Sequence, residues 1–320
     1  MAIDAGLLRE LGSVLGPGLL ATPAACVAYE CDALTAHRHP PDLVALPTSV
    51  EQVQQIVRIC RRHSVPVVAR GSGTGLSGGA LPVAGGLLLV LSRLDEILEV
   101  NPRRGLARVQ PGVTNLAVSE AAAPYGMYYA PDPSSQVACS VGGNVAENSG
   151  GVHCLKYGLT VHNVHRVRGA LITGDAVEFG GDALDSPGYD LLAVISGSEG
   201  LLAVITEITV KLTPKPQFAQ VALAAFDDVE KAGAAVGAII GAGIVPAGLE
   251  MMDQPATRAV EQFVHANYPL DAAAVLLVES DGTHEEVAAD MAEIKRVLNE
   301  SGATEIRVSK DEAQRLLFWS

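Results

Sequence analysis

The sequence holds little that would carry the chain into or across a membrane. Its clearest apolar run, Gly85–Leu91, is far shorter than the about 20 residues that a membrane-crossing helix needs. The start, Met1–Glu10, is acidic and lacks the basic-then-apolar order of a secretory leader. Cysteines are few: Cys26, Cys31, Cys60, Cys139 and Cys154 form no Cys-x-x-Cys pair and no scaffold spacing, so they read as reduced cytosolic thiols. Positive charge is also scarce. The 22 Lys and Arg against 36 Asp and Glu leave a formal charge of −14, which disfavours nucleic acid and anionic membrane surfaces as partners. These absences predict a cytoplasmic protein whose membrane association, where it has any, comes through a partner. What is abundant is apolar side chain. At 48% hydrophobic over 320 residues, the chain can build cores for about two domains and is not disordered.

Two glycine-rich stretches organise the rest. The first is Gly71–Gly79, Gly-Ser-Gly-Thr-Gly-Leu-Ser-Gly-Gly, directly after a strand-like Pro66–Arg70. Successive small residues after a strand can turn several backbone N–H groups toward one point, a nest that binds phosphate without lysine. Gly73–Gly78 formally matches GxGxxG and Asp95 follows, as in a nicotinamide-binding Rossmann unit. That motif must open a helix, however, and Pro82 with the paired Gly85 and Gly86 forbids one. The phosphate cradle therefore stands, and the NAD-dependent Rossmann dehydrogenase is only a remote alternative. The second stretch, Pro131–Gly151, shows neither helical nor strand periodicity. Gly142, Gly143, Gly150 and Gly151 admit close approach of a ligand, while Ser134, Ser135, Asn144 and Asn148 offer short polar groups. Val137, Ala138, Cys139, Val141, Val145 and Ala146 predict that much of it is buried. Buried irregular backbone needs partners for its amides, and a large polar cofactor supplies them.

Around these stretches the pattern reads as alternating helix and strand. Residues 4–15 form an amphipathic helix, Cys26–Pro41 is irregular with His37 and His39 in a solvated loop, and Thr48 or Ser49 caps a helix to Arg62. Gly86–Leu91 and Leu106–Gln110 read as strands joined through Asn101–Gly105, and Thr114 starts a helix to Ala123. Val164–Thr173 and Ala176–Phe179 form a hairpin, and Tyr189–Ile195 a short helix before the strand Leu202–Leu212. Pro214 and Pro216 mark the best linker. Beyond it strands at 218–226, 247–252, 274–279 and 304–308 alternate with helices at 228–242, 255–267, 284–300 and from Asp311, an α+β module. The apolar end, Leu316, Leu317, Phe318 and Trp319, is expected to face a surface needing cover, which makes the chain look cut.

Arg70–Gly79, Pro131–Gly151, Tyr157-Gly158 and Ser198–Thr206, in this order, resemble the FAD-linked oxidases of the vanillyl-alcohol-oxidase type. The resemblance runs on through Gly248–Asp253 and is nearest to the branch holding the FAD-binding D subunit of bacterial glycolate oxidase, with D-lactate dehydrogenases next. It implies an α+β fold: a PCMH-type, two-subdomain FAD-binding domain over residues 1–214 and a partial cap (substrate) domain over 215–320, truncated at its C-terminal side. It implies FAD as cofactor and oxidation of a D-2-hydroxy acid, glycolate or D-lactate, by hydride transfer to the flavin. Arg70, Gly71, Ser72, Gly73, Thr74, Gly75 and Leu76 would hold the pyrophosphate. Pro131, Asp132, Ser135, Gly142, Gly143, Asn148, Gly150, Gly151, Tyr157 and Gly158 would line the flavin side, and Glu199, Gly200 and Ile205 the adenosine side. Covalently flavinylated relatives carry a histidine where this chain has Thr74-Gly75, so the flavin is expected to be non-covalent. Relatives of this type continue past position 320 and place there the histidines and acids that bind metal or substrate and act as base. His153, His162, His165 and Glu250 do not replace that set, so no catalytic residue and no metal site is assigned. The chain is expected to need other subunits or a complementing C-terminal segment. The competing reading is a non-catalytic FAD-binding or assembly subunit.

Overall fold

The structure, a computed structural model, describes residues 4–181 and 188–320. Contacts divide the chain into two compact units. The first holds the chain up to Gly150 together with Leu159–Pro214, and the second holds Gly151–Gly158 and Lys215–Ser320. The architecture is mixed helix and sheet.

The first unit has two main sheets. One orders its strands Leu19–Leu20, Leu43–Ala45, Leu87–Val90, Val67–Arg70. Leu87–Val90 runs parallel to both neighbours and is buried throughout, which explains its unbroken apolar sequence. The helices Ala5–Leu15 and Val50–Arg62 cover one face. Ser49 caps the latter, accepting from the Gln52 amide at 3.3 Å, and Val53, Ile56, Val57 and Cys60 form its buried stripe. Each fully buried Leu, Ile or Val side chain contributes about 1.5–3 kcal/mol, so this sheet is a rigid mount for the loop that leaves Arg70. The second sheet is antiparallel, ordered Ile97–Asn101, Leu106–Val109, Val204–Lys211, Val164–Ala170, Ala176–Gly180. Its inner face packs on the helices Asn115–Ala122, Val141–Glu147 and Leu191–Ile195. Its outer face carries paired charges, Arg168 to Glu178 at 2.6 Å and Arg108 to Glu207 at 3.3 Å.

Two sequence expectations change here. Ile97–Asn101 is a strand, not part of a connection. A register shift between Ile97 and Glu99 breaks the in–out alternation that would have revealed it. Pro131–Gly151 is not irregular throughout, because Val141–Glu147 is helical, with Ser140 accepting from the Gly143 amide at 3.3 Å. Two glycines give this segment poor intrinsic propensity, and burial of Val141 and Val145 forms the helix instead. Cys139 is buried as expected, but Val137 and Ala138 are exposed.

The second unit is a four-stranded antiparallel sheet ordered Gly248–Asp253, Ala274–Gly282, Phe218–Phe226, Glu305–Val308. Ala222, Ala224, Leu276 and Val278 point to the helices Val229–Gly241 and His284–Glu300, while Val221, Leu223, Val275 and Leu277 point the other way, toward Tyr268 and Phe318. The final helix, Glu312–Trp319, corrects the expectation of an uncovered apolar end. Phe318 is buried, its carbonyl accepts from the Tyr268 hydroxyl at 2.8 Å, and the Trp319 indole donates to Glu279. Leu316 and Leu317 alone of that group are exposed.

Candidate functional site

The strand Val67–Arg70 delivers the glycine loop to the rim of a cavity of about 470 Å³. That volume is within the roughly 300–1,000 Å³ of small-molecule and cofactor sites. No helix follows the loop, so its shape comes from Gly73 and Gly78, whose φ values of +73° and +84° disfavour a side chain. The backbone amides of Gly71–Gly75 donate no hydrogen bond among the described residues. Gly71, Gly73, Thr74 and Gly75 are half-buried, so their amides can donate to a ligand in the cavity. A Cβ on Gly71 would lie 2.2 Å from the Ser140 hydroxyl, so the backbone must pass bare at this point.

The opposite wall comes from Pro131–Gly150. Ser134, Ser135, Ser140, Asn144, Asn148 and Ser149 line it. Asn144 donates to the Ser149 hydroxyl at 2.9 Å and accepts from Asn115 at 3.3 Å, which fixes its rotamer. Three carboxylates, Asp32, Glu147 and Glu199, line the cavity beside Gly75–Gly79. Burial, then the Glu199 and Asp32 charges, push the Glu147 carboxyl above its ordinary range. Glu199 sits at φ +52°, a left-handed conformation rare for glutamate, and its amide donates to the Ala146 carbonyl at 2.8 Å. The cavity thus offers hydrogen-bond donors to an anion along Gly71–Gly75 and carboxylate acceptors to hydroxyl or amino hydrogens beside Gly75–Gly79. A long ligand combining a diphosphate with polyol or ribose groups matches that division, so the donor set fits FAD.

The expected site residues divide into three groups. Gly71, Ser72, Gly73, Thr74, Gly75, Leu76, Ser135, Gly143, Asn148, Gly150 and Glu199 line the main cavity. Arg70, Gly142, Gly200 and Ile205 instead line a small adjoining space of about 40 Å³ behind the loop. Gly142 has a packing reason of its own: a Cβ there would lie 2.5 Å from the Pro111 side chain. The others line neither space. The Pro131 carbonyl accepts from the Asn115 amide at 2.9 Å, and Asp132 is half-buried next to it. Gly151, Tyr157 and Gly158 belong to the second unit, where the Tyr157 hydroxyl donates to Asp281 at 2.6 Å. Asp32, Ser140 and Glu147 line the cavity without having been singled out in the sequence. Asp32 lies in a stretch with no periodic or motif signal, and Glu147 is recognisable only once Val141–Glu147 is seen to be a helix.

The histidines lie apart from the cavity. His153 is 3.3 Å from Glu279 in the second unit. His162 accepts from the Leu159 amide at 3.0 Å, and His165 lies in the strand Val164–Ala170. Glu250 is exposed on Gly248–Asp253. Among the described residues, no group of three or more His, Cys, Asp or Glu side chains is placed to hold a metal ion, and no helix is long and apolar enough to cross a membrane.

Residues 41–180 match the family described as "FAD binding domain", and residues 215–320 match "FAD linked oxidases, C-terminal domain". The chain is 58% identical over 313 residues to the glycolate oxidase subunit GlcD of Escherichia coli (strain K12), covering 98% of this chain and 62% of that protein. It is 40% identical over 289 residues to GlcD of Bacillus subtilis (strain 168), covering 90% and 62%, and 33% identical over 288 residues to a D-lactate dehydrogenase of Anaerostipes hadrus, covering 88% and 60%. The chain therefore spans about three fifths of the length of these relatives. Among solved structures, p-cresol methylhydroxylase with substrate bound superimposes with a TM-score of 0.82 at 18% identity, covering 99% of this chain and 69% of that one. An alkyldihydroxyacetonephosphate synthase does so with 0.81 at 20%, covering 99% and 63%. Those two likenesses establish the fold: the PCMH-type arrangement of FAD oxidases. With both domain matches in order on one polypeptide, the chain belongs to the FAD-linked oxidases and its cofactor is FAD.

Proposed function

We propose that this chain holds FAD non-covalently in the cavity between Gly71–Leu76 and Ser134–Gly150, and that the enzyme it forms oxidises a D-2-hydroxy acid, glycolate or D-lactate. The observation that carries the reading is the row of amides at Gly71–Gly75 with no protein acceptor, facing a cavity of cofactor size. In this reading those amides hold the diphosphate. Ser135, Gly143, Asn148 and Gly150 line the ribityl and flavin side, and Asp32, Glu147 and Glu199 accept hydrogens from the adenosine side. Gly142, Gly200 and Ile205 support the loop and wall from behind. The assignment of residues 1–214 as FAD-binding domain and 215–320 as part of the cap belongs to the same proposal. Thr74-Gly75 offers no histidine for a covalent link, which supports a dissociable cofactor.

Bound FAD supplies the hydride acceptor for the carbon bearing the hydroxyl. The protein's part is to hold the acid in register and to take the hydroxyl proton. The groups for that step are proposed to come from a complementing C-terminal segment or another subunit. The 58% identity to a protein named as a glycolate oxidase subunit supports both the substrate class and the partner. The test is anaerobic stopped-flow mixing of the FAD-loaded chain, alone and with the complementing segment, against glycolate, D-lactate and L-lactate. Flavin bleaching by glycolate or D-lactate in the complemented sample supports the proposal. Bleaching by none of the acids under either condition overturns it.

A further inference from the structure

We infer that the Arg70 guanidinium supplies the positive charge by which the Gly71–Leu76 loop favours a diphosphate, acting through the loop without touching the ligand; Arg70 is thus a positioning residue. The inference rests on the FAD reading above. Four observations carry it. First, Arg70 is only 9% exposed, and its side chain turns behind the loop, into the small adjoining space rather than the main cavity. Second, its hydrogen bonds go to neutral carbonyls, Cys31 at 2.8 Å and Ala80 at 3.4 Å, and the Tyr29 ring lies 5.9 Å from the guanidinium carbon. Third, the guanidinium lies against the loop itself: a Cβ on Gly73 would be 2.2 Å from one of its terminal nitrogens. Fourth, the Asp32 carboxylate, whose charge acts on Arg70, makes no hydrogen bond or ion pair with it, because its oxygens are turned to backbone amides. One Asp32 oxygen accepts from the Leu34 amide at 2.9 Å and the other from the Gly78 amide at 3.0 Å.

A buried guanidinium with no hydrogen-bonded carboxylate among the described residues is expensive, and an apolar side chain would clamp the loop at lower cost. The charge gains a purpose once an anion lies across the loop. Glu147 and Glu199 face the same cavity and would repel a diphosphate, so a fixed positive charge directly behind the nest offsets them. The bracing arm Tyr29–Leu34 lies outside the matched span 41–180. Ala33 donates to the Gly75 carbonyl at 3.2 Å, so arm and arginine hold the loop from the same side.

The test titrates the FAD-free chain with FAD and, separately, with ADP, which carries the diphosphate without the flavin. The variants are Arg70→Gln, neutral but still able to donate to the Cys31 carbonyl, and Arg70→Lys, which keeps the charge. Thermal melting of each free variant reports folding. The expected result is a loss of about tenfold or more for both FAD and ADP in Arg70→Gln, the scale of one charge-assisted contact, with Arg70→Lys within about threefold of the parent chain. Equal loss in both variants would make the guanidinium fork or its packing responsible and would overturn the inference, as would unchanged affinity in Arg70→Gln. Failure of both variants to fold would overturn it too, by making Arg70 a residue of the core. A parent chain that binds neither FAD nor ADP would instead count against the FAD reading on which the inference stands.

Discussion

Gly142 and Gly143 are neighbours with opposite reasons for lacking a side chain. A Cβ on Gly143 has one close neighbour, the Ser140 hydroxyl at 3.1 Å, and otherwise faces the cavity, whereas a Cβ on Gly142 meets Pro111 at 2.5 Å. Gly143→Val should therefore abolish FAD binding while leaving most of the fold, and Gly142→Ala should cost about 1–3 kcal/mol of stability through overpacking. FAD titration beside urea unfolding of both variants separates the two; normal flavin content in folded Gly143→Val would remove this wall from the cradle. Glu147 gives a pH prediction. Its carboxyl is raised in the folded chain, so the folded state binds its proton more tightly than the unfolded state. Stability of the FAD-free chain should then fall as pH rises above the group's ordinary 4.5 and through its raised value. Glu147→Gln should flatten that fall, as melting temperatures across the range would report. At this scale the sequence was half legible. A nest such as Gly71–Gly79 is written in consecutive residues and can be read directly. Asp32, Glu147 and Glu199 come from three distant segments, and only tertiary structure brings them together.

The segment Gly151–Gly158 shows how an element can be missed by pattern reading. Its neck is closed within the first unit, where the amide and hydroxyl of Thr160 donate to the Ser149 carbonyl at 3.1 and 2.8 Å. Its tip is held to the second unit's strand Ala274–Gly282: Lys156 donates to the Asp281 carboxylate and to its carbonyl at 2.6 Å, and Tyr157 donates to the same carboxylate. His153 and Arg315 meet Glu279 two residues away, at 3.3 and 2.8 Å. Burial alone would raise the Glu279 carboxyl, but the His153 hydrogen bond, the Arg315 charge and the Trp319 indole outweigh it and hold it below its ordinary range. Its stabilising contribution is therefore present above the ordinary carboxylate value and is lost as pH falls through the depressed one. Glu279→Ala removes the shared acceptor of His153, Arg315 and Trp319 while Arg315 keeps its pair with Glu312, so it should cost about 1–3 kcal/mol, and its melting temperature should lose part of the parent chain's dependence on acid pH. A melting curve that matches the parent at neutral pH would refute this. No periodicity announces such a segment, because its residues are chosen for partners more than 120 positions away. The elements that periodicity did announce, such as Val50–Arg62 and His284–Glu300, are those whose own apolar stripe meets a sheet.

At the scale of the whole molecule the two domain matches and the PCMH-type fold settle the family, and chemistry separates what the chain holds from what its enzyme does. The fold was legible in the sequence because four motif blocks lie in order along one chain. The catalytic groups were not, since no histidine lines the cavity among the described residues. In the proposed function the cavity beside Gly71–Gly75 binds FAD through amides and side chains alone. The most direct test saturates the 320-residue chain with FAD, removes the excess, and precipitates the protein with acid. About one flavin per chain is expected before precipitation and all of the yellow colour in the supernatant afterwards. A chain that retains no flavin, or a pellet that keeps its colour, would contradict it.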